Sequence, residues 1–155
     1  MVIFLPLSHV EIDVSDDSWL LRVDGRPVDV AGYFSEKYSA LTRTCSKVQD
    51  LQPSDPLFAD ALDVIRRYSQ PDSLSAQLVA LSMQGDWLLA RVRFNRLQDA
   101  VVLLVRSEQD LMIVSGGVWS GSTHPHRPEP MIRRYLRNRV PAAPLDLTDC
   151  LEPMS

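Results

Sequence analysis

The hydrophobic periods of this 155-residue chain predict a single α+β domain. Three observations lead there. An Asp24-Gly25 pair stands between two short alternating runs, the strongest hairpin signal in the chain. Two stretches with helical period follow it, and after residue 75 the period drops to two and stays there through four runs separated by short polar turns. The expected architecture is an N-terminal β-hairpin, two helices, a four-stranded antiparallel meander curled around helices packed on one face, and a C-terminal helix. In outline it is cone-like or cystatin-like.

Each element has its own reason. The start, MVIFLPLSHVEIDVSDD, reads as a short buried strand: no basic residue precedes its apolar run, Pro6 interrupts it, and acidic residues follow it, so it lacks the pattern of a signal peptide. SWLLRVDGRPVDV supplies the hairpin. In residues 33–48 the apolar positions Phe34, Tyr38, Leu41, Cys45 and Val48 are spaced 4, 3, 4 and 3, one inward stripe of an amphipathic helix that Ser35 could cap. QPSDP ends that helix and starts the next, with Ser54 or Asp55 as N-cap and Pro56 in the first turn. Phe58, Ala61, Leu62, Ile65 and Tyr68 form its buried stripe, and Pro71 closes it.

Residues 76–83 and 87–95 make a hairpin about Gln84-Gly85-Asp86. In its second strand Leu88, Ala90, Val92 and Phe94 point one way and Trp87, Leu89, Arg91, Arg93 and Asn95 the other. Residues 100–106 and 111–119 make a second hairpin. Its run Val101–Val105 is apolar throughout, as expected of a central strand covered on both faces. Residues 129–140 read as a helix with Ile132, Tyr135, Leu136 and Val140 inward and Arg133, Arg134 and Arg137 outward. Residues 141–155 are expected to be an extended tail on the surface.

On these residues, VDGRPVDVAGYFSEKYSAL followed by WLLARVRF and AVVLLVRSEQDLMIVSGGVWS, the chain resembles the nuclear transport factor 2-like (SnoaL-like) superfamily over residues 19–119. The resemblance implies a hairpin leading into a helix and long strands closing a cone. It departs from the pattern in lacking helices before the first hairpin and in adding the helix at 129–140. It carries over no catalytic residue, and such folds serve enzymes and binding modules alike.

Composition bounds the function. At 45% hydrophobic and 23% charged the chain is of ordinary globular make-up, and no apolar run approaches the roughly 18–20 residues of a membrane span. Net charge is −4, so nucleic acid is not an expected partner. The charge is uneven: residues 1–72 hold 12 acidic and 7 basic side chains, net −5, and residues 73–155 hold 8 and 9, net +1. Of the 16 basic residues only Lys37 and Lys47 are lysines, a skew in keeping with a GC-rich, bacterial-type genome. Cys45 and Cys150 lack CxxC spacing, and with no export signal visible they are expected to be unpaired thiols in a cytoplasmic protein; removal of a signal would make it periplasmic or secreted.

Sites are sparse. His124 and His126 form an HxH pair between prolines, with His9 the one other histidine and Glu129 the nearest carboxylate; this falls short of a zinc ligand set, and no metal or cofactor is expected. GVWSG is not a nucleophile elbow, because Ser120 falls one position late. Five arginines within residues 127–139 read first as a solvated helix face. Trp119, between Gly116-Gly117 and Gly121, either plugs one end of the curled sheet or, with His124, His126 and Arg127, lines a ligand site. Trp87, Leu89, Arg91 and Arg93 give one sheet face the aromatic and arginine mixture of an interface. No catalytic residue is identified. The expectation is a non-enzymatic accessory or binding domain acting through protein–protein contacts, as a homodimer through the sheet. The alternative is a small cone-pocket hydrolase or isomerase acting on an apolar small molecule.

Overall fold

The computed structural model describes residues 10–15, 18–108, 110–120 and 128–151. They form an α+β fold with two antiparallel sheets. The first sheet holds β1 (Val10–Ser15), β2 (Ser18–Val23) and β3 (Arg26–Val28) in that order. Asp24 and Gly25 join β2 to β3 with φ of 52° and 75°. Positive φ at both positions is what a two-residue hairpin turn requires, and Asp-Gly is among the pairs that tolerate it best. β1 is exposed at Val10 and Ile12 rather than buried; the greasy run before it lies outside the described residues.

Helix α1 (Val30–Thr42) begins with Asp29 as the sole residue after β3. The Asp29 carboxylate accepts from the Gly32 amide at 2.6 Å, satisfying one of the amide groups that a helix start leaves unpaired. The helix therefore starts ahead of the expected span and stops at Thr42, so Cys45 and Val48 belong to a loop rather than to its stripe. After β4 (Gln49–Asp50) comes α2 (Pro56–Tyr68), capped by Asp55, whose side chain accepts from the Leu57 amide at 2.9 Å. Ala61 and Ile65 are buried as expected, whereas Tyr68 is exposed in the last turn.

The second sheet has the order β4-β5-β6-β7-β8, with β5 (Gln77–Gln84), β6 (Trp87–Arg93), β7 (Ala100–Arg106) and β8 (Leu111–Ser120) forming the expected meander and β4 adding a short edge. It does not close: β4 and β8 are its two ends. Its faces support two separate cores. Leu88, Ala90 and Val92 of β6 and Ala100, Val102 and Leu104 of β7 pack with Ala61 and Ile65 of α2. The alternate side chains Leu89, Val101 and Leu103, with Trp119 of β8, pack under α3 (Glu129–Arg139) and α4 (Leu145–Asp149). Helices thus cover both faces, not one. Strand β7 is buried on each side because its two sets of alternate residues face different helices.

Opposite β7, β8 bulges between its pairings with Val102 and Leu104. A side chain at Gly117 would come within 2.9 Å of the Leu103 Cβ and 3.0 Å of the Val114 carbonyl, so glycine is needed for the close approach.

The C-terminal segment departs most from expectation. Residues 141–151 are not an extended tail. They include α4 and bury Ala143, Leu147 and Leu151 in the second core. Arg133 turns inward rather than outward and donates from Nη2 to the Leu151 carbonyl at 2.8 Å. Arg137 pairs with Asp149. This folding back brings Cys150 beside the loop after α1, and the two cysteines form a disulfide with a Cα–Cα distance of 5.8 Å. The expectation of unpaired thiols is corrected. It rested on the absence of CxxC spacing and of an export signal, neither of which bears on a pairing made possible by α1 ending at Thr42 and the C-terminal segment folding back.

Candidate functional site

The residues singled out from sequence separate into three places. Trp119 is buried, opposite Val101 in the β7–β8 ladder, and belongs to the second core. His124, His126 and Arg127 lie outside the described residues. Of the expected interface, Leu89 is buried beneath α3 and α4 and Trp87 is partly buried against the same core. That sheet face is therefore already covered by the chain's own C-terminal segment, and Leu89 is a core residue rather than a contact for a partner. Arg91 is half-buried, and Arg93 is exposed with its Nε 3.7 Å from the Asp99 carboxylate. Among the described residues no three His, Cys, Asp or Glu side chains cluster as a metal site would need.

A pocket of about 270 Å³ opens at the β4–β5 edge of the large sheet, away from its centre. Phe58, Leu81, Leu89 and Leu151 give it apolar walls, and Asp50, Ser82 and Arg91 are among its polar groups. The Ser82 hydroxyl donates to Asp50 Oδ1 at 2.6 Å, which ties the short β4 to β5. With its acid and hydroxyl hydrogen-bonded to each other and one guanidinium nearby, the pocket offers polar anchoring beside apolar walls.

The less expected feature is in the N-terminal part. The ladder pairs Val10 with Val23, Ile12 with Leu21, Leu21 with Val28 and Val23 with Arg26. Cross-strand partners share a face and alternate residues share a face, so Val10, Ile12, Leu21, Val23 and Val28 lie on one side of the small sheet, with Arg26 beside the turn at its end. Glu11 and Arg22 lie on the other. The sheet is amphipathic, yet among the described residues nothing covers its apolar side: Ile12 is 67% exposed, and Val10, Val23 and Val28 are exposed as well.

Helix α1 repeats the pattern. It packs against α3, but Phe34, Tyr38 and Leu41 are 67%, 73% and 87% exposed. Tyr33 sits beside Phe34 with ring centroids 5.7 Å apart, edge to face, and Lys37 lies over the Tyr33 ring at 5.7 Å. The first three positions of the expected helical stripe are therefore present at the expected spacing, pointing at solvent. Sequence reasoning found this stripe and placed it on the wrong side. It missed the sheet face, because the face appears only when β1 is aligned with the Asp24-Gly25 hairpin. The signal was there in the alternation of Val10, Ile12 and Val14.

Three aromatic rings on one helix and four exposed aliphatic residues on the adjoining sheet exceed the scattered apolar residues of an ordinary surface and have the character of an interaction site. Comparison with known protein families, with curated proteins and with solved structures finds no match to this chain.

Proposed function

We propose that the protein is a binding module that works by protein–protein contact, with the N-terminal sheet and α1 as its contact surface. The observation that carries this reading is the pair of apolar faces that no described residue covers. A sheet that is hydrophobic on one side buries that side against another element, and aromatic residues, three of which stand exposed on α1, are enriched at protein contacts. The cone-pocket enzyme has less support. Both faces of the large sheet are filled by side chains, and the edge pocket of about 270 Å³ falls below the roughly 300–1,000 Å³ of ordinary ligand sites. The resemblance to the nuclear transport factor 2-like superfamily adds a precedent for such folds serving as binding modules. The Cys45–Cys150 bond favours an oxidising compartment over the cytoplasm as the place of work. No helix is long and apolar enough to cross a membrane among the described residues.

Site-specific photocrosslinking tests the reading. A benzophenone side chain replacing Phe34 or Tyr38 in producing cells should give protein adducts of discrete mass, mapped by mass spectrometry to a defined peptide. The same probe at Arg67, exposed on α2, should not. Equal labelling at all three positions, or none, would discard this surface.

A further inference from the structure

We infer that the occupant of this surface is a second copy of the chain, docked reciprocally so that α1 of each copy lies on the apolar sheet face of the other. The inference rests on the contact-surface reading above and names its partner.

The argument is one of complementary halves. Helix on sheet is a stable two-layer arrangement because a helical stripe and a sheet face each need one apolar cover. Each chain carries both parts, Tyr33, Phe34, Tyr38 and Leu41 on the helix and Val10, Ile12, Leu21, Val23 and Val28 on the sheet. It does not bring them together. Only Asp29 separates β3 from α1, and α1 runs off to pack on α3, leaving both parts exposed. A two-fold axis solves this geometry: if the helix of one copy covers the sheet of the other, the reverse contact follows by symmetry, and the interface closes as a dimer.

The dimensions agree. A 13-residue helix is about 20 Å long at 1.5 Å per residue, and three strands about 4.8 Å apart present a face roughly 10 Å wide. The area agrees as well. Three rings at these exposures leave roughly 300–500 Å² uncovered. With Leu41 and the sheet aliphatics the surface reaches the order of 800 Å² that each partner contributes to a standard specific interface. Because the buried surface is apolar, the dimer should persist in high salt, although each copy carries a net charge of −4.

Sedimentation velocity on the purified oxidised chain should show a dimer at micromolar concentration. Tyr38→Asp and Ile12→Asp, both at exposed positions, should each weaken it about ten-fold or more while circular dichroism stays unchanged. Arg67→Asp should leave it intact. The arrangement itself is read by mixing a tagged Ile12→Cys chain with an untagged Leu41→Cys chain under mild oxidation. A tagged–untagged cross-link supports reciprocal docking. Cross-linking of Leu41→Cys chains to one another alone would show helix-to-helix pairing and overturn it. A monomer at every concentration overturns the second copy as occupant. If the photocrosslinks at Phe34 and Tyr38 then map to a different protein, the contact-surface reading survives without this inference; if they are absent too, both fail.

Discussion

Removing the disulfide is the perturbation whose size follows most directly from the structure. Cys45 and Cys150 are 105 positions apart, and for a closed loop of about 100 residues the chain-entropy relation gives about 4.7 kcal/mol of stabilisation through the unfolded state. That is a large share of the roughly 5–15 kcal/mol that ordinary domains possess. Replacing both cysteines with serine should lower the folding free energy by about 4–5 kcal/mol. For a domain of this size that is a fall of roughly 10–20 °C in melting temperature. Urea titration of the double variant, beside the wild type with and without reductant, measures it. Because the bond restrains the unfolded chain, its loss should also raise the dependence of free energy on urea, as more surface becomes exposed on unfolding. A double variant with the wild-type midpoint and slope would refute the reasoning. A loss well beyond 5 kcal/mol would show that the bond also holds the native C-terminal segment in place. Hydrogen exchange at residues 145–151 would locate that effect.

Other outcomes follow from single contacts. Trp119→Ala truncates a buried ring of the second core and should cost about 3–5 kcal/mol in chemical denaturation. Asp55→Ala removes the α2 cap and should cost about 1 kcal/mol in the same assay. Gly117→Val forces a branched side chain against Leu103 and Val114 and should destabilise by about 1–3 kcal/mol. Tyr135→Phe removes the hydroxyl that donates to the Val118 carbonyl at 3.1 Å; a loss of about 1 kcal/mol is expected.

What the sequence made legible was governed by the range of the physics involved. The meander and α2 could be read because turn residues, cap and alternation are local: Gly85, Asp55 and the Leu88, Ala90, Val92 set each act within a few residues. The direction of the Phe34, Tyr38, Leu41 stripe could not. Periodicity shows that a face is apolar but not what it meets, and here nothing in the described chain meets it. The tail was misread for a related reason. Leu147 and Leu151 are too few and too close together to make a periodic signal, and their burial depends on a surface built by β6, β7 and α3. Arg133 followed the same pattern: a charge at an outward-reading position becomes internal once the returning segment supplies the Leu151 carbonyl. The disulfide was beyond reach because it depends on two things at once, α1 ending at Thr42 ahead of Cys45 and the C-terminal segment returning to it.

The placement of that bond also sets an order of events during synthesis. Strands β5 to β8 lie wholly between the two cysteines, and each pairs with its sequence neighbour. At about 5–20 residues per second, Cys45 is made roughly 5–20 s before Cys150. Throughout that interval Cys150 does not yet exist, so Cys45 has no cysteine of its own chain to pair with. The meander can be complete before Cys150 arrives, so the covalent ring closes around a finished sheet and acts as a latch on its last segment. With two cysteines the chain has a single internal pairing, so the yield of oxidised protein should depend on the supply of disulfide oxidant more than on the rate at which the sheet folds.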